Sequence, residues 1–432
     1  MPKINVIAAG DCFINRDLPK GTEFEQLARF FNQADVRFCN FESTLCDTTN
    51  TLFPAASSGG TWAQTHHRIL DNLSALGINT LSLANNHIMD YSHAGLQMTT
   101  KHLVERGFKV AGAGNNLREA AAPTYLETQG GRVAMVAATT TFHDHNRAGE
   151  QTPDLSGRPG LNPLRVETVH QISADALAVL KQIAQSTDIN AELAYAAQKG
   201  SLISDDPDQV FYFGDYDFQQ GPESKSIHTL NAHDVERIFQ SIDEAKSQSD
   251  LVMVSLHSHQ MKLGDAHTPP EFLQHFARQC IERGAHIFLG HGPHHNRGME
   301  VYQGCPIFYG LGNFIFHNLT VAKQPWEMYE LLGLRHGNRV TDVLDRLDGN
   351  GSKGYKKHRE YWTSFLPVCE FEHGKMTSLK IYPCDLGEGE HRHTLGTPRL
   401  SSSLASLEMF AQLSRQLGTE LQFGEDHLTV SI

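Results

Sequence analysis

The segment INTLSLANNHIMD, residues 78–90, decides the fold class of this chain. It begins as a short, largely apolar run that is typical of a buried strand, and it ends in side chains that can bind ligands or transfer protons. Those side chains, Asn85, Asn86, His87 and Asp90, follow the strand directly. In open α/β sheets, ligands bind outside the carboxyl ends of the strands. The segment therefore predicts a sheet with a functional site at the carboxyl end of this strand.

Strands and helices alternate on both sides of this segment. Short apolar runs predict further strands at residues 4–9, 36–38, 132–139, 251–256, 286–289 and 307–309. Helical spacing of apolar residues, often closed by a glycine, predicts helices at residues 22–31, 65–76, 95–106, 232–247 and 270–283. This alternation predicts an α/β fold in which a largely parallel sheet is covered by helices.

Two segments interrupt the alternation and divide the chain. Residues 143–230 begin with a loop rich in Pro, Gly, Asp and Asn and continue with helical patterns, which predicts a mostly helical insertion that forms a lid or shapes the substrate site. A charged, glycine-rich stretch predicts a second, flexible insertion at residues 318–362. The main domain is expected to consist of three parts, namely residues 1–142, 231–317 and 363–432. The last part supplies a strand hairpin and a final helix at residues 404–417.

Composition and charge exclude several classes of protein. The chain has 432 residues, of which 40% are hydrophobic and 20% charged, with a net charge of −13. This composition is typical of a globular protein, and the acidic balance argues against a nucleic-acid partner, which requires a basic face. We expect a cytoplasmic protein without a membrane span, because no segment is apolar over the length of a span and the first apolar run is too short for a signal sequence. The seven cysteines form no CxxC pair, which favours a reducing compartment, and nothing in the sequence indicates an oligomeric state.

Metal-binding side chains stand at the ends of five predicted strands. They are Asp11, Glu42, Asn86, His257 and the pair His291 and His294. A turn, a cap or a buried neutral histidine explains any one of them, but packing does not require such residues at five strand ends at once. Carboxylate, amide and imidazole groups suit Zn, Mn, Fe, Ni or Co, and so many ligands exceed the needs of one zinc ion. The pattern therefore predicts two divalent cations bridged by a carboxylate.

Three of these motifs resemble the bacterial CapA family. The matching segments are LANNHIMD at residues 83–90, GHGPH at 290–294 and YGLGNF at 309–314. That family is associated with the synthesis of poly-γ-glutamate capsules and with the calcineurin-like metallophosphoesterase fold. The resemblance implies an α/β fold built as a four-layer αββα sandwich of the metallophosphoesterase type.

The resemblance also implies two metal sites, occupied by Mn, Fe or Zn. Asp11 and His294 would hold one ion, and Glu42 would be the bridging carboxylate. The second ion would be held by Asn86, His257 and His291.

The catalytic roles implied by the resemblance fall on the LANNHIMD motif. His87 would be the general acid or would stabilise an oxyanion, and Asp90 would orient it. The chain also departs from the family pattern, because Phe13 stands where metallophosphoesterases carry a histidine ligand and Gly292 stands where a second histidine is common. The first metal site would therefore be a ligand short.

Further polar residues of these motifs are predicted to contact the substrate. They are Asn85, His259, His295 and Asn313. His259 and His295 could instead face solvent, and Asn313 could cap a tight bend between glycines. Arg297 and Lys262 could hold an anionic substrate, although an ordinary surface charge is the favoured interpretation for both.

The predicted function is that of a metal-dependent hydrolase or acyl-transferring enzyme. Metal-activated water would attack a phosphoester or a γ-glutamyl-type amide in an anionic substrate that is a small molecule or peptide-like. The competing hypothesis is a non-catalytic, metal-containing binding or assembly protein in poly-γ-glutamate or exopolymer biosynthesis.

Overall fold

A computed structural model of the chain describes residues 3–47, 52–200 and 210–430. Its strands are β1 Ile4–Phe13, β2 Val36–Phe41, β3 Thr44–Cys46, β4 Gln64–His66, β5 Thr80–Ser82, β6 Lys109–Ala111, β7 Ala113–Gly114, β8 Thr124–Thr128, β9 Gly131–Thr139, β10 Gly160–Leu161, β11 Val166–Ile172, β12 Phe211–Phe213, β13 Tyr216–Gln220, β14 Lys225–Leu230, β15 Leu251–His257, β16 Ile287–His291, β17 Asn296–Tyr302, β18 Cys305–Leu311, β19 Asn313–Phe316, β20 Thr363–Glu372, β21 Lys375–Asp385, β22 Arg399–Leu400, β23 Leu421–Phe423 and β24 Leu428–Val430.

The helices of the described residues complete the list of elements. They are α1 Thr22–Phe31, α2 Leu70–Leu76, α3 Ser92–Glu105, α4 Leu117–Ala121, α5 Ala174–Ser186, α6 Ala191–Gln198, α7 Ala232–Gln248, α8 Glu271–Arg283, α9 Trp326–Leu331, α10 Val340–Asp348 and α11 Glu408–Gln416. Short 3₁₀ helices lie at His67–Ile69, Asp144–Asn146, Asp188–Asn190, Asn318–Thr320, Tyr355–Lys357, Arg359–Tyr361 and Leu404–Leu407. Within the ranges described, no helix is both long and apolar enough to cross a membrane.

Two large sheets form the centre of the main unit. The first has the strand order β23-β24-β21-β20-β1-β2-β5-β6, with β19 beside β1 and β22 beside β21. The second has the order β17-β18-β16-β15-β9-β8. Strands β1, β2, β5 and β6 pair in parallel in the first sheet, and β9, β15, β16 and β18 do so in the second. The predicted parallel βα arrangement is therefore confirmed.

The alternation of side chains along β1 shows how the layers stack. Val6 and Ala8 belong to a buried cluster that also contains Met253 and Leu289 of the second sheet, so this cluster fills the space between the sheets. The intervening Ile7 belongs to the cluster that the first sheet forms with α1, α2 and α3. Successive side chains of a strand point to opposite faces, and one strand thus contributes to both cores.

The outer face of the second sheet is also covered by helices. Phe276 of α8 packs edge-on against Phe288 of β16, with ring centroids 6.5 Å apart. Phe239 of α7 stacks on the same Phe276 ring at 6.1 Å. The order of layers is helices, sheet, sheet, helices, which confirms the predicted four-layer αββα sandwich.

A second compact unit, Leu164–Val235, is inserted into the first, which comprises Met1–Pro163 and Glu236–Ile432. It contains α5, α6 and a four-stranded sheet of order β12-β13-β11-β14. The insertion that was predicted to be mostly helical thus also contains a sheet, whose strands β11, β13 and β14 were not predicted because they are only partly buried and mix polar with apolar residues without a clear period. The predicted boundary at residue 143 was also too early, since β10 pairs with β7 of the first unit and keeps residues 143–163 there.

The predicted flexible insertion at 318–362 is largely folded. It contains α9 and α10, whose residues Met328 and Val343 are buried in one cluster with Trp62 and Tyr91. The interpretation as a flexible loop failed because the two helices are short and separated by glycine-rich turns. Tyr355 of the same segment packs edge-on against His294, with ring centroids 6.3 Å apart, and the Tyr361 carbonyl accepts from the Asn313 amide at 3.0 Å.

Candidate metal centre

Asp11 lies near the end of β1, between the strands that supply its neighbours. It pairs in register with Asn40 of β2 and with Asn313 of β19, and its own backbone nitrogen donates to the Gly312 carbonyl at 2.9 Å. Gly10 is required beside it, because a Cβ at that position would lie 1.8 Å from the Gly312 oxygen. The close approach of β1 to the chain before β19 brings the YGLGNF segment against Asp11.

The first group of possible ligands forms where two parallel strands end side by side. His257 ends β15, His291 ends β16, and the two residues are paired in register. Their Nδ1 atoms are 3.0 Å apart, and Asp11 Oδ1 lies 3.5 Å from that of His291 and 3.9 Å from that of His257. The ligand atoms of these three buried residues all lie within 4.8 Å of one another, so they can hold one cation.

The second group consists of Asp11, Glu42 and His294. His294 Nδ1 lies 3.3 Å from Asp11 Oδ2 and 4.0 Å from Glu42 Oε2. Glu42 follows β2, and its other oxygen, Oε1, lies 3.4 Å from His257 Nδ1. Both carboxylates therefore extend from one set of histidines to the other, and Asp11 is common to the two groups of possible ligands.

Hydrogen bonds to neighbouring residues orient each histidine. Ser255 Oγ lies 2.7 Å from His291 Nε2, and Asn313 Oδ1 accepts from His294 Nδ1 at 2.9 Å. His259 Nε2 lies 2.9 Å from His257 Nε2. A partner on one ring nitrogen fixes the tautomer and leaves the other nitrogen free for a cation. These contacts leave Nδ1 of His257 and Nδ1 of His291 for that purpose, whereas His294 Nδ1, which is the nitrogen near the two carboxylates, also contacts Asn313.

Burial shifts the charge states of the centre in opposite directions. Burial and the negative charge of Asp11 raise the pKa of Glu42 well above its usual range. Burial acts to raise the pKa of Asp11 too, but hydrogen bonds from His291 and His294 hold that pKa well below its usual value. Burial and the neighbouring His259 lower the pKa of His257, which favours the neutral ring that a metal ligand requires.

Several acceptors of the centre lack a partner inside the protein. Both carboxylate oxygens of Glu42 and the amide oxygen of Asn86 are buried and accept no hydrogen bond from the described residues. A buried carboxylate without a partner costs several kcal/mol, on the order of the desolvation penalty of an ion. Divalent cations would remove this cost, so the residues present fit the predicted metal ions.

His87 and Asp90 form a buried pair beside the ligands. His87 Nδ1 lies 2.8 Å from Asp90 Oδ2, which also accepts from the Ala63 backbone nitrogen at 2.8 Å. Phe13 packs edge-on against the His87 ring with centroids 5.4 Å apart. Phe13 occupies the position where metallophosphoesterases carry a histidine ligand, and here its ring helps to hold His87 in place.

Three residues that were predicted to contact the substrate form hydrogen bonds within the protein. Asn85 is fully buried, donates to the Asn40 side chain and the Phe41 carbonyl, and accepts from two backbone nitrogens of its own loop. Asn313 is fully buried and uses its amide on His294 and on the Tyr361 carbonyl. His295 binds the Ala266 carbonyl through Nε2 at 2.9 Å. Their substrate contacts stay predictions, as does that of His259, which is half-buried at the centre.

The interpretation of Arg297 as a surface charge was wrong. Its side chain is completely buried and donates to the carbonyls of Gln260 at 2.7 Å and Ala266 at 3.1 Å. It therefore fixes the loop that follows His257.

The structure also explains why a glycine stands at position 292, where the family often has a histidine. Gly292 has a φ of +121°, and a Cβ there would lie 2.9 Å from the Ser258 nitrogen, which leaves no room for a histidine side chain.

Two residues of the centre were not predicted. Asn40 donates to Asp11 Oδ1 at 2.9 Å and lies 3.3 Å from His257 Nδ1, and Ser255 supports His291. Each stands two residues before a predicted ligand on an otherwise apolar strand. Residues i and i+2 of a strand share a face, and this spacing was the available signal.

Comparison with known proteins agrees with this picture. The fold and site define a two-sheet α/β protein with a buried carboxylate–imidazole centre at the ends of its parallel strands. A family model described as bacterial capsule synthesis protein PGA_cap matches residues 5–318, and the chain belongs to that family. The predicted relationship to CapA-type proteins is confirmed.

Individual relatives cover most of the chain. The chain is 29% identical over 429 residues to the uncharacterized protein y4sH of Sinorhizobium fredii, which covers 96% of this chain and 90% of that protein. It is 24% identical to the PGA biosynthesis protein CapA of Bacillus subtilis, over 71% of this chain and 62% of that protein. A phosphatase from Mycoplasma pneumoniae superposes with a TM-score of 0.37 at 10% identity, covering 89% of this chain and 94% of that one. A putative 5′-nucleotidase from Staphylococcus aureus superposes with a TM-score of 0.37 at 12% identity, covering 96% and 58%.

Proposed function

We propose that this capsule synthesis family member is a metal-dependent hydrolase. The observation that carries the proposal is the position of Asp11, a fully buried carboxylate that belongs to both groups of possible metal ligands. A purely structural site needs one closed set of ligands. Two adjacent sets that share a carboxylate are the arrangement used for in-line displacement.

The ligands divide into two sets around the carboxylates. Asp11, His257 and His291 would hold one cation, and Asp11 with Glu42 and His294 would hold the other. Asn86 would add its free amide oxygen to the centre. When bound, the cations supply a water nucleophile of lowered pKa and neutralise charge that develops on the substrate.

His87 would donate the proton to the leaving group. Its Nδ1 is held by Asp90, so the Nε2 edge is the one available to a substrate. The Ala63 nitrogen fixes Asp90, and the Phe13 ring restricts His87 from the side. A general acid held in this way contributes about 10²–10⁴-fold to the rate.

The substrate proposed is anionic, either a small molecule or peptide-like, and is cleaved at a phosphoester or a γ-glutamyl-type amide. The names of the relatives support this class, since two Bacillus relatives are named for PGA or capsule biosynthesis. The cations of the centre would attract such a substrate despite the acidic balance of the whole chain.

A second candidate is a non-catalytic, metal-containing binding or assembly protein in exopolymer biosynthesis. Phe13 favours it, because it leaves the centre one histidine short of the pattern implied by the resemblance. A Mycobacterium tuberculosis relative is named as a probable polyglutamine synthesis accessory protein. This candidate requires the metal ions but not the proton donor.

Hydrolysis assays on metal-loaded protein separate the two candidates. Wild type, His87→Gln and His286→Gln would be assayed on aryl phosphoesters and γ-glutamyl anilides. His286 is the matched control, because it precedes β16 at the strand end opposite His291 and forms hydrogen bonds there with the Val252 backbone. Cleavage that is lost in His87→Gln and kept in the control supports the hydrolase. Metal-loaded wild type that cleaves neither class supports the assembly protein.

A further inference from the structure

We propose a further metal site, formed by Asp47, His67 and His102, that is separate from the candidate metal centre. One ligand atom from each of the three residues lies within 4.8 Å of the others. We call this group the outer cluster. It uses none of the residues of the candidate metal centre, so the proposal does not depend on the proposed function.

Three separate elements supply the outer cluster. Asp47 follows β3, and His67 begins the 3₁₀ helix after β4. These two strands pair in parallel, with Cys46 opposite His66, so the residues that follow them lie at the same end of the ribbon. His102 comes from α3, which is attached to β3 through a hydrogen bond from the Leu45 nitrogen to Thr99 Oγ1 at 2.8 Å.

The imidazole rings present the same edge to one carboxylate oxygen. The rings of His67 and His102 stack with centroids 4.3 Å apart and planes 10° apart. Asp47 Oδ1 lies 2.7 Å from His102 Nε2 and 3.7 Å from His67 Nε2. The stacking places the Nε2 atoms of His67 and His102 on the same side of the ring pair, which is the orientation that a shared cation requires.

Small movements would convert this arrangement into a coordination site. Ligand atoms about 2.0–2.1 Å from a tetrahedral zinc ion are about 3.3 Å from each other. The two Asp47 distances, 2.7 and 3.7 Å, therefore need to change by less than 1 Å. Asp47 can make that change, because 55% of its side chain is exposed.

The ligand types favour a transition metal ion that keeps one coordination position open for water. Two imidazole nitrogens and one carboxylate oxygen suit Zn²⁺, Ni²⁺, Cu²⁺ or Co²⁺, whereas Ca²⁺ and Mg²⁺ prefer oxygen ligands. Arg106 lies on the other edge of His67, with Nη2 3.5 Å from Nδ1, but it is paired with Asp71, which offsets its charge. His102 Nε2 is buried and has no hydrogen-bond partner of good geometry among the described residues.

A cation bound at the outer cluster would link Asp47, which follows β3, to His102 of α3. Because it binds only the folded protein, it should raise the melting temperature with its concentration. At a Zn²⁺ concentration about 100-fold above Kd, the expected rise is about 3 °C for a chain of this size.

Zinc stoichiometry tests the proposal independently of any activity. Protein stripped with a chelator would be dialysed against Zn²⁺ and analysed for bound metal in an Asp11→Asn background, which removes the carboxylate shared by the candidate metal centre. We expect about one equivalent in that background, and its loss in Asp47→Ala and His102→Gln. His93→Ala is the control, because His93 is an exposed histidine on the same helix.

The melting temperature supplies a second readout for the same variants. Binding and a zinc-dependent rise that persist in His93→Ala but disappear in Asp47→Ala and His102→Gln establish the site. Equal zinc binding in all four proteins would overturn it and leave the outer cluster as a group of neighbouring side chains that binds no metal. Circular dichroism in chelator checks that each variant is folded, and exposed Asp47 provides a substitution that the fold should tolerate.

Discussion

At the scale of single residues, metal binding in the proposed centre depends on how the histidine side chains are oriented as well as on which residues are ligands. Asn313 illustrates this, because its amide accepts from His294 Nδ1 and donates to the His294 carbonyl. His294 also has a φ of +63°, a backbone conformation that is uncommon for residues other than glycine. Such a conformation persists where surrounding contacts hold it, and Asn313 is one of those contacts.

Replacement of Asn313 should therefore weaken metal binding without removing a ligand. Loss of such an orienting partner costs about 10–100-fold in affinity. We expect Asn313→Ala to show this decrease when metal loss is followed by competition with a chelator. Unchanged affinity in a folded variant would mean that His294 is not a ligand or is oriented by other contacts.

His87 should affect the chemistry and not the metal. His87→Gln is expected to lower kcat by about 10²–10⁴-fold while metal content stays at the wild-type value, because its Nδ1 is engaged by Asp90 and it belongs to neither ligand group. Elemental analysis and steady-state kinetics on the same preparation check both parts. If metal content and activity fell together, His87 would be a metal ligand and the prediction would be wrong.

At the scale of elements, the sequence predicted the buried strands of the main unit, including those that carry ligands, and missed strands of the second unit. β15 and β16 are continuous apolar runs whose polar ends stand out, and both were predicted to within two residues. β11 and β13 were missed because they are half-buried and mix charged, amide and apolar residues without a clear period. Asn40 and Ser255 were missed as site residues for a related reason, since an amide or hydroxyl on a buried strand has many structural uses.

The contact between β1 and the chain before β19 depends on the absence of a side chain at Gly10. Gly10→Ala is expected to destabilise the fold by about 3 kcal/mol or more, because its Cβ would meet the Gly312 backbone oxygen at 1.8 Å and neither strand can move freely. Gly21→Ala is the control, since a Cβ at Gly21 has no atom within 4 Å. Urea unfolding should show the loss in the first variant and a change within about 1 kcal/mol in the second. Similar stability of the two variants would show that the two strands separate more easily than their spacing suggests.

At the scale of the whole molecule, the chain carries its candidate centre entirely in one unit. The residues of both ligand groups lie within Met1–Pro163 and Glu236–Ile432. The second unit leaves and returns through adjacent strands, with Val166 paired to Leu230 and the Asn231 nitrogen donating to the Arg165 carbonyl at 3.0 Å. This separation could not be read from the sequence, because the proline- and glycine-rich stretch at 144–165 marks a loop of the first unit and not the boundary.

Excision of the second unit should therefore leave a folded protein. Replacement of residues 166–230 by Asn-Gly, a two-residue hairpin turn, joins Arg165 to Asn231, whose backbone groups are already hydrogen-bonded. We expect the shortened chain to unfold cooperatively and to bind the same number of metal ions as wild type, while any effect on activity would report a role of the second unit with substrates. A shortened chain that is folded but has lost metal would contradict the assignment of the centre to the first unit.

The measurement that tests the account most directly is elemental analysis of Asp47→Ala protein with and without Asp11→Asn. The first substitution removes the outer cluster, so the remaining metal belongs to the candidate metal centre. The account predicts about two equivalents of Mn, Fe or Zn with Asp11 intact and the loss of both with Asp11→Asn, because Asp11 is common to the two ligand groups. Retention of either equivalent in a folded Asp11→Asn protein, or no metal in the protein with Asp11 intact, would contradict it.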